Sequence, residues 1–358
     1  LIGNINAGGG GANKNVIING AMNCSQRSTS VTGLGANTDA STRYQTIDRF
    51  GIDVEGTTAG RYTMTQDSSA PSGFANSLKL ACTTADTSIG AAELVTLSQI
   101  VEGQNVQSFA KGTSDAKPFA VSFYVKGNAS ATYVCELFDG DNSRHVCSTF
   151  SVTTDWTRVE ITFPADTTGA FDDDNAASLY LQIFLHAGSN FSSGTLPATW
   201  ASKTNANRAA GGGSFFDSTD RTFFITGVQL EVGQNPTEFE REPFYVTLRK
   251  CERYYQNSYE TSAGNFPGVS TSNDNCIIVT SWNDGNCPFG SFRESMRTNP
   301  TVVLRERNGT TTGKITTNGS QKTATATDIS EKGVGYISVS SGVNLVYNAF
   351  SYELKAEL

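Results

Sequence analysis

With 358 residues the chain is long enough for two ordinary domains, and with 17% charged residues, 35 Gly and 9 Pro it has the makings of tightly turned sheets. Its 26 Lys and Arg against 34 Asp and Glu leave a formal charge of -8. That balance, with no Lys/Arg cluster, argues against a nucleic-acid binder, and no apolar run approaches the roughly 20 residues needed to insert a helix into a membrane.

Residues 1–15, LIGNINAGGGGANKN, carry no signal-peptide pattern and read as a Gly-rich linker from an upstream stalk. Val16 to Asn23 reads as a short apolar strand with an Asn-Gly turn. Further strands are expected at 44–54, 61–66, 77–83, 119–126, 132–138, 145–152, 157–163, 179–186 and 222–232. The stretch Ala91 to Val101 fits helix or strand equally. From Ile225 to Gly233 apolar and polar residues alternate, as in a strand with one buried face. Many short strands with turns at similar intervals make residues 16–240 a jelly-roll sandwich.

After Gly233 and Pro236 the pattern changes. Tyr245 to Tyr255 has helical spacing, with Leu248, Cys251 and Tyr255 on one side, and residues 241–260 read as a helical connector. Residues 261–358 form a smaller antiparallel β-sandwich, with Asn308-Gly309 and Asn318-Gly319 as hairpin turns. Its strands are expected at 301–307, 313–317, 321–329, 336–340 and 350–357. In the last, Phe350, Tyr352, Leu354 and Ala356 should face in, and Ser351, Glu353, Lys355 and Glu357 out. The fold class is therefore all-β.

Chemical motifs are scarce. Seven scattered Cys and two His supply no CxxC pair, so no metal site or cofactor is expected. Cys135 with Cys147, and Cys276 with Cys287, could face each other across hairpins. The acidic run Asp172-Asp173-Asp174-Asn175 lacks the alternation and central Gly of a calcium loop and reads as a solvated turn. Asp139-Gly140-Asp141-Asn142 reads as a hairpin turn. No nucleophile, phosphate-loop or zinc-protease motif is present, so no catalytic residue is assigned and no enzyme is expected.

Trp156 begins a strand and is expected in the core. Trp200 lies in the long Gly-, Ser- and Asn-rich loop from Ala187 to Asp217, and loops that long are commonly functional. With Ser193, Asn205 and Arg208 it makes a candidate carbohydrate platform; packing on the domain edge is the other reading. Trp282, before the turn Asn283-Asp284-Gly285, is either a distal contact or a core anchor.

The order of several segments resembles phage tail-fibre and virion-appendage proteins. These are VIINGAMNCSQRSTS with YQTIDRF, SQIVEGQNVQSFAKGTSDAKPFAVSFYVKG, TTDWTRVEITFPADTTG, LHAGSNFSSGTLPATW, VQLEVG leading to RYY, and FRESMRTNPTVVLRERNGTTTG with SYELKAEL. The resemblance implies a homotrimeric fibre on a tailed-phage particle, joined to other virion proteins through its N-terminal side. It would attach the phage to a bacterial surface glycan or protein. Virion decoration without a receptor, and polysaccharide depolymerisation, are the alternatives, although stacked β-helix repeats typical of depolymerising tailspikes are missing.

Overall fold

The computed structural model describes residues 14–36, 43–56, 58–258, 277–282, 286–306, 311–317, 319–340 and 345–358. The chain divides into a first unit that runs to Asn23 and from Ser30 to Pro243, and a second formed by Cys24–Thr29 and Phe244–Leu358. Among the described residues no helix is long and apolar enough to cross a membrane.

The first unit is a jelly-roll sandwich of two six-stranded antiparallel sheets. One sheet contains β1 (Ser30–Leu34), β3 (Arg61–Asp67), β4 (Ser77–Thr84), β12 (Thr222–Val232), β6 (Phe119–Gly127) and β9 (Thr157–Phe163), in that spatial order. The other contains β11 (Ala201–Ser202), β8 (Arg144–Val152), β7 (Ala131–Asp139), β10 (Ala177–Ala187), β5 (Leu94–Glu102) and β2 (Gly51–Glu55). Alternation along each strand turns one set of side chains inward. Phe123, Phe223 and Ile225 from the first sheet thus share a core with Leu97, Leu137 and Ile183 from the second.

Two expectations fail here and one open reading is decided, each for a physical reason. Val16 to Asn23 is a turn, with Asn19 at φ +62° and Met22 at φ +57°. Its apolar residues cap the core, and Ile18 exchanges two hydrogen bonds with the Gln99 side chain. The ambiguous segment becomes β5, whose nine residues are all buried, so no polar face marks its period. In β12 the alternation does not mean a wet face: Gln229 and Glu231 are buried, because residues 234–240 fold back over them. Glu231 accepts from Thr237 N–H at 2.7 Å, and Gln229 Oε1 from Glu240 N–H at 2.7 Å. Just before them in the strand, Gly227 takes φ +64° at a bulge, and a Cβ there would lie 2.8 Å from the Phe74 ring.

The second unit opens with α2 (Phe244–Glu252), the only regular helix longer than one turn among the described residues; α1 is the single turn Ser189–Ser192 of the first unit. Thr247 and Cys251, four residues apart, are buried and Leu248 is half-buried. The helix ends before Tyr255, which is buried in β13 (Tyr255–Asn257). Arg27 lays its guanidinium 3.8 Å from the Tyr255 ring centroid and pairs with Glu357 at 2.9 Å.

The remaining strands are β14 (Ile277–Trp282), β15 (Asn286–Ser291), β16 (Thr301–Glu306), β17 (Lys314–Thr317), β18 (Ser320–Ser330), β19 (Gly333–Val339) and β20 (Leu345–Lys355). Strand β20 pairs with β13, β14, β16 and β17. Strand β18 pairs with β17 through its first residues and with β19 through the rest. Met296, Leu304, Ile315, Ile337, Phe350 and Leu354 form the core. The expected alternation in the last strand holds for Phe350, Tyr352, Leu354 and Ala356, but Ser351 and Glu353 are buried as well. With a neighbour on each edge, Glu353 is held by Arg305 at 2.7 Å and Lys355 at 3.0 Å. The turn Asn308-Gly309, Cys276, and the side chains of Cys287 and Trp282 lie outside the described residues.

Candidate functional site

The loop from Ala187 to Asp217 lies on the outer face of the second sheet. Its Phe191, Leu196 and Ala209 pack on Val134, Cys147 and Phe184 of that face in a small cluster of their own. The two Trp expectations are reversed. Trp200 is 8% exposed and belongs to the main core; its Nε1–H donates to Pro164 O at 2.9 Å, and its ring sits 5.3 Å from Phe119. Trp156 is only half-buried, on the outer face of the first sheet beside Phe224.

Arg208 is likewise structural. Its Nε and Nη2 grip both oxygens of the fully buried Glu136 at 2.6–3.2 Å, and Nη2 also donates to Gln182 at 2.7 Å. Ser193 and Asn205 are exposed on adjacent turns, where Gly194 N–H donates to Ala206 O. The proposed quartet therefore splits, two residues inside and two outside.

Beneath the loop, Glu136 Oε1 lies 2.8 Å from His145 Nδ1 and 3.7 Å from Cys147 Sγ. Carboxylate, imidazole and thiol within 4.8 Å of one another are a donor set that suits a soft divalent metal. Here the Arg208 cation already holds both carboxylate oxygens. Burial, then the Glu136 charge, also pushes the Cys147 thiol far above its ordinary value, away from the thiolate a metal needs. Burial works against the Glu136 charge, but hydrogen bonds from His145 and Arg208 outweigh it and hold the carboxyl below its usual range. The cluster is a loop anchor.

The Cys135–Cys147 bridge does not form. Cys135 pairs in register with Ser148, and Cys147 with Glu136, so the two free thiols point to opposite faces. Asp172, Asp173 and Asp174 are exposed, and their carbonyls receive Gln104 N–H and the Gln107 side chain in a solvated turn.

What the outer face leaves open is a pair of half-buried rings, Phe138 on β7 and Tyr180 on β10, opposite each other in register and 5.3 Å apart. Fixed polar groups frame them. Arg43 pairs with Asp53 at 2.7 Å and donates to Ser98 Oγ at 2.6 Å. Lys203 Nζ lies 4.9 Å and the Arg208 guanidinium 5.6 Å from the Phe138 ring centroid. Burial, together with Asp53 and Asp141 against Arg43, raises the Tyr180 hydroxyl above its ordinary value, so it remains a neutral donor at neutral pH. Apolar ring area with rigid donors and acceptors around it is the chemistry that holds a sugar ring. The hydrophobic residues of this pair carry the same period as the core residues beside them, and nothing in their spacing distinguishes them.

No family model matches the chain, and no curated protein matches it. Among solved structures it is similar to the family 11 carbohydrate-binding module of the cellulosomal cellulase Lic26A-Cel5E of Clostridium thermocellum. The identity is 12%, covering 56% of this chain and 97% of that one, with a TM-score of 0.28. It is also similar to TmCBM61 in complex with β-1,4-galactotriose, at 10% identity over 61% of this chain and 99% of that one, TM-score 0.30. A third is the enzymatically active domain of tailspike protein 4 from bacteriophage CBA120, at 11% identity, TM-score 0.31. That match covers 62% of this chain but 22% of the tailspike.

Proposed function

We propose that the first unit binds glycan on the outer face of its second sheet, and that the chain is a virion fibre attaching a tailed phage to its host surface. The observation that carries the glycan reading is the Phe138–Tyr180 pair, half-exposed between the Arg43–Asp53–Ser98 group and Lys203. The phage reading rests on the resemblance of the ordered sequence segments. The protein acts as a binder and not as an enzyme: Asp53 and Glu136 are each already held by an arginine, which favours fixed hydrogen bonding over proton transfer. Incubation with host polysaccharide should release no reducing sugar, and release would overturn that part.

The fibre works as a homotrimer with α2 near its axis. Phe244 and Tyr245, at the start of that helix, are 54% and 64% exposed, and a nine-residue helix needs packing partners. Sedimentation of the full chain at micromolar concentration should give a trimer; a monomer would remove this arrangement.

A further inference from the structure

The outer face of the first sheet carries a row of side chains that the glycan reading does not use. Thr65, Lys79, Phe224 and Lys126 lie opposite one another on β3, β4, β12 and β6. Trp156, just before β9, completes the row, its ring 6.1 Å from Phe224. Cations and rings alternate. Lys79 Nζ is 5.2 Å and Lys126 Nζ 5.6 Å from the Phe224 centroid, and Lys126 Nζ is 6.0 Å from Trp156. Three strand intervals separate Lys79 from Trp156, about 14 Å.

The charges on this face are unevenly matched. Lys79 pairs with Asp67 at 3.3 Å, and Arg158 pairs with Glu160. Lys126 has no carboxylate partner among the described residues, and the carboxylate of exposed Asp155 forms no ion pair with it. An unpaired ammonium held over two aromatic rings is a cationic spot on a chain whose net charge is -8. Phe224 is buried with both ammonium groups near its ring, while Trp156 keeps part of its ring open.

We propose that this row is a second saccharide surface, specific for an acidic sugar chain. The apolar face of a uronate ring lies on Trp156, and its carboxylate meets Lys126. The Lys79–Asp67 pair offers hydrogen bonds to a neighbouring ring. A neutral glycan gains the ring contact alone, and a polyanion without sugar faces gains the charge contact alone.

The test is a calorimetric titration of the full chain with galacturonate and mannuronate hexamers, their methyl-esterified forms, and an oligonucleotide of matching charge. One of the acidic hexamers should bind, with at least tenfold loss on esterification. Lys126→Gln should cost the acidic hexamer tenfold or more, Trp156→Ala likewise, and Ser114→Ala, at an exposed turn away from the row, nothing. The oligonucleotide should bind at least tenfold more weakly. Binding to neither acidic hexamer, equal binding of the esters or of the oligonucleotide, or an unaffected Lys126→Gln variant would overturn the proposal. Because Lys126 and Trp156 belong to the other sheet from Phe138 and Tyr180, failure here leaves the glycan reading of the second sheet standing.

Discussion

Lys111 and Asp139 form an ion pair of 2.5 Å in which neither side chain is exposed to water. The same ammonium reaches Asp166 at 3.1 Å and the carbonyls of Thr168 and Gly169 at 2.9 and 2.7 Å. Four oxygens around one point are the surroundings a hard metal ion takes, and here a side chain fills them. The rings of Phe171 and Trp200, 5.3 and 5.2 Å away, close the cage. One lysine thus ties together the turn after β5, the end of β7 and the loop after β9.

Removing that cation leaves Asp139 buried without its partner. Lys111→Met should therefore destabilise the first unit by about 3–5 kcal/mol, the usual cost of breaking a buried pair from one side. Chemical denaturation of variant and parent measures it. Because the cage is filled from within the chain, a chelator should leave the parent's melting temperature unchanged.

Trp200→Ala should cost about 3–5 kcal/mol, as for other large core residues cut to Ala, since the ring is in the core and its N–H is bonded to Pro164. Trp156→Ala should cost clearly less, its ring being only half-buried. Paired thermal melts would decide this; equal losses would mean that Trp156 is packed as deeply as Trp200.

That reversal shows where sequence reasoning stops. Apart from β5 and the two-residue β11, the strands from Arg61 to Thr222 were legible from their spacing and the turn residues that bracket them, and the register of β7 and β8 follows from the turn at Gly140. Whether a loop ring points in or out is set by which loop covers which face, and Ser193, Trp200, Asn205 and Arg208 carry no pattern that records it. Tyr180 and Phe138 were missed for a related reason. Both belong to strands whose two faces are largely apolar, since the loop buries Phe184 and Val134 beside them. The segment CSQRSTS looks continuous with the first unit, yet Arg27 and Gln26 bond to Glu357 and Tyr255 of the second.

Acid should loosen the first unit through Glu136 and Asp166. Hydrogen bonds and cations hold both carboxyls below their usual range in the folded chain, against the effect of burial. A depressed folded pKa contributes stability that is fully present above the unfolded value near 4 and is lost as pH falls through the folded one. Denaturation midpoints should therefore be flat above about pH 5 and fall below about pH 4. For Glu136→Gln the fall should be shallower, from a lower starting stability. A parent midpoint independent of pH down to 3 would remove the argument.

Reducing agent should not change the stability of the first unit, because Cys135 and Cys147 face opposite ways and burial raises both thiols. A thiol reagent should leave both unmodified in the native chain and modify both in denaturant. Rapid native modification of either would contradict the packing described.

The glycan face is tested most directly by an array of neutral glycans probed with the parent chain and with Tyr180→Ala. Tyr180 is half-buried, so the variant should keep its fold and melt close to the parent. The parent should bind a defined subset of glycans, and the variant should lose at least tenfold in signal on that subset. A parent that binds no glycan, or a folded variant that binds like the parent, would contradict the assignment of the Phe138–Tyr180 pair as the binding platform.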